Sequence, residues 1–271
     1  MAGLRGLARR PVVSDGVPMA FASTDVHLWY RLTESLDDQA LRASLSLLSD
    51  DERGRHERFV FPEDRRDYSA AHALVRRVVG AHEGIAPAAL TFETRDRGKP
   101  ALASRSAGDA SLQFNLSHTR GLVACALVRG ADVGVDVERI DRATDNRQIA
   151  DRYFSPSERA DLDACDAGER SRRFIDLWTL KEAYLKATGV GLSEELDTFS
   201  FRFPDARRIA FAGLPDEGFW TFALFAPTPL TRMAVAVRAS TPVSWRIVAR
   251  DEAAGDAALV MLRQSQPAAD R

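Results

Sequence analysis

Apolar and polar positions along this chain alternate between two rhythms. Residues 26–32 carry the pattern of a first strand. Over 36–58 the period becomes helical, with Leu36, Leu41, Leu45 and Leu48 on one face. Within that stretch Ser49-Asp50-Asp51-Glu52 reads as a cap leading into a short basic helix that carries Arg53, Arg55 and Arg58. Pro62 interrupts, and 63–81 predicts a long helix with Leu74, Val75, Val78 and Val79 inward. A short strand is predicted at 90–93, then a tight basic turn, Arg97-Gly98-Lys99-Pro100. Residues 114–116 lead to Ser117 and His118, where a helix start or loop is expected. Two apolar strands, 122–128 and 133–138, are joined hairpin-fashion by Arg129-Gly130-Ala131-Asp132.

A second stretch begins near 145 with a short helix at 149–153. Ser155-Pro156-Ser157-Glu158 is a strong helix-start signal, with Ser as cap, Pro at the first position and Glu three after the cap. The clearest helix, 171–188, ends at Gly189. Strands follow near 199–203, 208–211, 221–225, 233–238 and 245–248. Residues 1–24 read as a loose leader, and 251–271 as a tail, partly helical and frayed at its end. The order predicts an α+β chain of two similar halves, 25–130 and 131–250, meeting near 129–132.

Bulk properties narrow the class. A hydrophobic share of 45% with 28% charged is a globular balance. A net charge of −2 gives no whole-molecule basic field, so nucleic acid is not an expected partner. No apolar run is long enough to predict a membrane span, and the N-terminus lacks the apolar core of a secretory signal. Cys125 and Cys165 make neither a disulfide framework nor a zinc pattern, which fits a reducing cytoplasm; Cys125 reads as a buried free thiol. Of 37 basic residues, only Lys99, Lys181 and Lys186 are lysine.

Four constellations carry chemistry. In Gly134-Val135-Asp136-Val137-Glu138, residues two apart share a strand face, so Asp136 and Glu138 project together. A hard divalent cation is one natural partner for them, and solvated acids at a strand end are the other reading. In the segment 174–186, Glu182 and Lys186 share a helix face, with Trp178 one turn earlier. The crowding of Phe174, Ile175, Leu177, Leu180, Tyr184 and Leu185 predicts a largely buried helix, whose charges need partners. Asn115-Leu116-Ser117-His118 offers groups suited to an anion. Adjacent Ser117 and His118 are poorly placed for a nucleophilic triad, and no Gly-x-Ser-x-Gly elbow is present. Arg53, Arg55, Arg97 and Lys99 form a basic set that reads either as solvated surface or as part of a phosphate site. A Mg²⁺-dependent phosphohydrolase using the same acids and a non-catalytic binding protein stay open as alternatives.

Taken in order, 115–118, 134–138 and 178–186 resemble the three signature segments of the Sfp-type 4′-phosphopantetheinyl transferases. The likeness extends to the basic segment 51–76, to Gly98-Lys99-Pro100 and to Gly189-Val190-Gly191-Leu192. It implies two pseudo-symmetric α+β halves in one monomeric chain, with coenzyme A in the cleft between them. It also implies transfer of phosphopantetheine to an apo carrier protein, with release of 3′,5′-ADP. Asp136, Glu138 and Glu182 match the family's Mg²⁺ ligands, with Glu138 the least constant of the three. Glu182 is also the candidate base, and Lys186 matches a lysine near the pyrophosphate. Asp136, Glu182 and Lys186 form the implied catalytic set. Arg55, Lys99, Ser117 and His118, with Arg97, Gly98, Pro100 and Asn115, match the surroundings of the coenzyme A phosphates. Lys181 is expected to point elsewhere, and Glu158 matches an acid of unassigned role.

Overall fold

The computed structural model describes residues 24–94, 100–103, 111–142, 146–189, 196–213, 218–253 and 259–265. The expected leader 1–24 lies outside them except for its last residue, as do Arg97, Gly98 and Lys99 of the basic turn.

The first part of the chain runs β1 (Asp25–Leu32), α1 (Asp38–Leu47), α2 (Asp50–Arg58), α3 (Pro62–Glu83), β2 (Phe92–Thr94), β3 (Pro100–Leu102), β4 (Leu112–Thr119) and β5 (Leu122–Arg129). The second runs β6 (Asp132–Arg139), α4 (Asn146–Tyr153), α5 (Pro156–Ala164), α6 (Ala167–Thr188), β7 (Ser200–Arg202), β8 (Arg208–Ala212), β9 (Phe219–Ala226), β10 (Thr231–Ala239), β11 (Arg246–Asp251) and β12 (Val260–Ser265). They make a four-stranded sheet, β11-β1-β5-β4, a six-stranded sheet, β6-β10-β9-β12-β8-β7, and the small β2-β3 pair.

The halves repeat one plan. In each, an opening strand pairs antiparallel with the second strand of a later antiparallel pair: β1 with β5, and β6 with β10. Each has a 22-residue helix, α3 or α6, stopped by a glycine in the left-handed region, Gly84 at φ 66° and Gly189 at φ 72°. Each also has a short helix opened by a reciprocal capping box, Ser49 with Glu52 and Ser155 with Glu158. Both capping glutamates reach the long helix of their half, Glu52 to Arg76 and Glu158 to Lys181, at 2.8 and 2.9 Å. This internal symmetry gives Glu158 a structural role.

Alternation along the strands sorts the core into layers. On β5, Ala124, Ala126 and Val128 face Val133, Val135 and Val137 of β6 in a cluster between the two sheets. Val123, Cys125 and Leu127 point the other way, against Leu74 and Val78 of α3. On the far side, Ala234 and Ala236 pack under Leu180 and Tyr184 of α6. The order is helix, sheet, sheet, helix. With both faces covered, the central strands read as continuous apolar runs.

Three expectations change. Ser117 and His118 lie on strand β4, not at a helix start, because 112–119 pairs in full register with β5. β11 returns from the second half to pair in parallel with β1. Part of the tail forms β12, a strand beside β9, where helix was expected. His27 is buried on β1, edge-on to His82 at 4.8 Å.

Gly134 sets how closely α6 approaches β6. A Cβ there would meet the backbone at Ala183 O and Ala187 N, and lie 2.9 Å from the Lys186 carbonyl carbon. Gly134→Ala must therefore push the helix off the strand. We expect a loss of about 1–3 kcal/mol or more, read as a lowered urea midpoint.

Glu52 supplies a pH test of the first half. Burial raises its carboxyl pKa, but hydrogen bonds from His72 and Arg76 outweigh burial and hold it at about 2. A depressed carboxyl adds stability above its unfolded value near 4.5, and that stability is lost as pH falls toward 2. The advantage of the native protein over Glu52→Gln should be about 2–3 kcal/mol at pH 6 and shrink steadily below pH 4.5, measured by chemical denaturation.

Candidate active site

The site lies at the seam between the halves, where β4 of the first sheet runs beside β6 of the second. Side chains stand in for a backbone ladder there. The Val135 N–H donates to Asn115 Oδ1 at 2.9 Å, and the Val137 N–H donates to Ser117 Oγ at 3.3 Å. Since Val135 and Val137 face the inter-sheet core, Gly134, Asp136 and Glu138 face α6. The close approach at Gly134 lays α6 over this face, and the helical period brings Trp178, Glu182 and Lys186 above the two acids.

Lys186 Nζ donates to Asp136 Oδ1 at 2.7 Å and to Ser117 Oγ at 2.8 Å. Ser117 donates in turn to Asp136 Oδ1 at 3.1 Å. The Ser117 hydroxyl thus gives one bond and accepts two, which fills its capacity. It anchors Asp136 and Lys186 and is not a free nucleophile. Asp136 Oδ2 is buried and has no hydrogen-bond partner among the described residues, an unmet acceptor.

The other two acids share that shortage of positive charge. Burial, Asp136 and Glu138 raise the Glu182 carboxyl to about 7, against the opposing pull of Lys186. Burial and Asp136 likewise raise Glu138, opposed by Arg142 and Trp178. Glu138 Oε1 accepts from Arg142 Nη1 at 2.7 Å and from Trp178 Nε1 at 3.1 Å. Among the described residues, no three acid, imidazole or thiol side chains stand close enough to close a metal shell unaided. The unmet Asp136 oxygen and two raised carboxyls nonetheless fit a cation whose shell is completed by a ligand's oxygens.

The remaining residues divide. Asn115 lies in the seam. His118 reaches the exposed side of β4, where desolvation by surrounding protein, with Lys186 nearby, lowers its pKa despite Asp67. Arg55 lines an adjoining cleft of about 350 Å³ with His72, Arg76, Pro100, Phe114 and Leu116. Arg97, Gly98 and Lys99 lie outside the described residues. Lys181 points away from the site, as expected. It is fully buried, pairs with Glu158, and donates to Leu196 O at 2.6 Å and Phe199 O at 3.0 Å. Arg142 was not foreseen. It is four residues from Glu138, but on a strand end that spacing carries no signal of contact.

Acids of β6 and α6 thus meet Lys186 at the seam between the halves, beside a cleft that Arg55 and Arg76 line. A 4′-phosphopantetheinyl transferase superfamily model matches residues 132–237, and a 4′-phosphopantetheinyl transferase N-terminal model matches 36–128. The chain is 36% identical over 176 residues to the 4′-phosphopantetheinyl transferase HetI of Nostoc sp., covering 65% of this chain and 73% of that protein. It is 33% identical over 173 residues to Sfp of Bacillus subtilis strain 168, covering 64% and 74%. It is 33% identical over 210 residues to psf-1 of Bacillus pumilus, covering 76% and 87%. The chain belongs to the Sfp-type 4′-phosphopantetheinyl transferase family. The reaction that defines the family, transfer of phosphopantetheine from coenzyme A to a carrier protein, is its activity.

Proposed function

We propose that Asp136, Glu138 and Glu182 hold Mg²⁺ together with the pyrophosphate of coenzyme A, and that the acceptor is a serine of an apo carrier protein. The buried Asp136 Oδ2, without a hydrogen-bond partner among the described residues and beside two raised carboxyls, is the observation that carries this reading. When bound, the ion supplies positive charge where negative charge builds on the phosphoryl oxygens.

The chain's own residues do the rest. Glu182 takes the serine proton, directly or through one water, as the hydroxyl attacks the β-phosphorus joined to pantetheine. The bond from that phosphorus to the bridging oxygen breaks, and 3′,5′-ADP leaves. Lys186 is held by Asp136 and Ser117 and offers its remaining N–H to the leaving pyrophosphate oxygen. By the family resemblance, Arg55, Lys99, Ser117 and His118 are assigned to the 3′-phosphate of coenzyme A, and Arg97, Gly98, Pro100 and Asn115 are further candidates to bind the same ligand. The halves 25–130 and 131–250 together make one site, so the chain works as a monomer, in the cytoplasm.

The test incubates the protein with coenzyme A, MgCl₂ and an apo carrier protein, followed by mass spectrometry of the carrier. A phosphopantetheine adduct on serine, absent in EDTA, is the expected result. Release of 3′,5′-ADP without an adduct would make the protein a hydrolase and overturn the proposal.

A further inference from the structure

Glu138 is held on one side only. Its Oε1 accepts both the Arg142 guanidinium and the Trp178 indole N–H, while Oε2 accepts no hydrogen bond from the described residues. Both donors are fixed by packing. The Trp178 ring stacks parallel to Phe174, with centroids 6.2 Å apart and planes at 8°, and also lies against Phe154 and Tyr153. The Arg142 guanidinium sits over the Phe174 and Trp178 rings, at 5.6 and 5.5 Å from their centroids. Neither donor can leave Oε1 without losing these contacts as well.

From this we infer that Arg142 and Trp178 are positioning residues that restrict Glu138 to one coordinating oxygen and so select Mg²⁺ over Ca²⁺. The inference rests on the cation reading above. Mg²⁺ holds a compact octahedron of single oxygens, whereas Ca²⁺ takes more ligands and readily binds a carboxylate through both oxygens. With Oε1 already occupied by two donors, the two-oxygen mode is closed. Neighbours that orient a metal ligand typically change metal affinity by about 10–100-fold when removed. Here the change falls on the ratio between two ions.

The experiment is calorimetric titration of the coenzyme A-bound protein with MgCl₂ and, separately, with CaCl₂. It compares the native protein with Arg142→Met, Trp178→Phe, Arg142→Lys and Asp136→Asn. Trp178→Phe keeps the ring stack and removes only the N–H. We expect Arg142→Met and Trp178→Phe each to raise Ca²⁺ affinity relative to Mg²⁺ by about tenfold. Arg142→Lys, which keeps a charged donor, should keep the native ratio. An unchanged ratio in both Arg142→Met and Trp178→Phe, with Mg²⁺ binding lost in Asp136→Asn, would overturn this inference and leave the cation site standing. Unchanged Mg²⁺ binding in Asp136→Asn would overturn both.

Discussion

Glu182→Gln is expected to lower the rate of phosphopantetheine transfer by roughly 10²–10⁴-fold while the protein stays folded. The amide keeps the size of the side chain but neither takes a proton nor adds negative charge beside Asp136. Stability should move the other way. In the absence of a cation the Glu182 carboxyl sits at about 7, raised by burial and by the Asp136 and Glu138 charges. A raised carboxyl contributes stability that is full below its unfolded value near 4.5 and is lost as pH rises through 7. The Gln variant should therefore melt above the native protein at pH 8 without divalent ions, and close to it at pH 4.5. Thermal melts beside single-turnover rates check both halves of this expectation. Native turnover in the variant would remove Glu182 from the mechanism.

Lys181→Met is expected to have the largest effect on stability, about 3–5 kcal/mol, because it leaves Glu158 buried without its cation. Glu158 is committed to the fold. Its Oε1 accepts the Phe201 N–H at 2.9 Å and its Oε2 accepts the Ser155 N–H at 2.9 Å. The Lys181 ammonium lies over the Phe199 ring at 4.2 Å, and its three N–H groups go to Glu158, Leu196 O and Phe199 O. Burial lowers its pKa, and Glu158 opposes that. The double variant Lys181→Met/Glu158→Gln should recover part of the loss, since no unpaired charge remains buried. Urea denaturation of the two variants reads the difference. Below its melting temperature Lys181→Met should still transfer phosphopantetheine. Lost turnover at unchanged stability would instead place Lys181 in the chemistry.

Much of this was legible in the residues, for physical reasons that differ from place to place. The capping boxes at Ser49 and Ser155 are local and chemically specific, so both helix starts could be read directly. The two-residue period placed Asp136 and Glu138 on one face, and the four-residue period placed Glu182 with Lys186. What joins the strand to the helix is the close approach at Gly134, and a glycine in a strand does not announce what it approaches. The extended backbone of 112–119 was hidden because Asn115 and Ser117 are typical of turns. Here their side chains satisfy the backbone of β6 across the seam, a tertiary contact that no local rule contains. The parallel return of β11 to β1 and the joining of β12 to β9 are equally non-local. Arg142 was missed because its contact with Glu138 and its place over two rings of α6 depend on the path of the chain after β6.

The most direct measurement is the dependence of transfer on Mg²⁺ concentration in the native protein and in Asp136→Asn, with coenzyme A saturating. Asp136 offers a buried oxygen that no hydrogen bond from the described residues satisfies. If that oxygen binds the ion, native transfer rises from zero to a plateau with added Mg²⁺, and Asp136→Asn shows no transfer across the same range while remaining folded. Full native transfer in EDTA, or an Asp136→Asn curve that overlays the native one, would contradict the account.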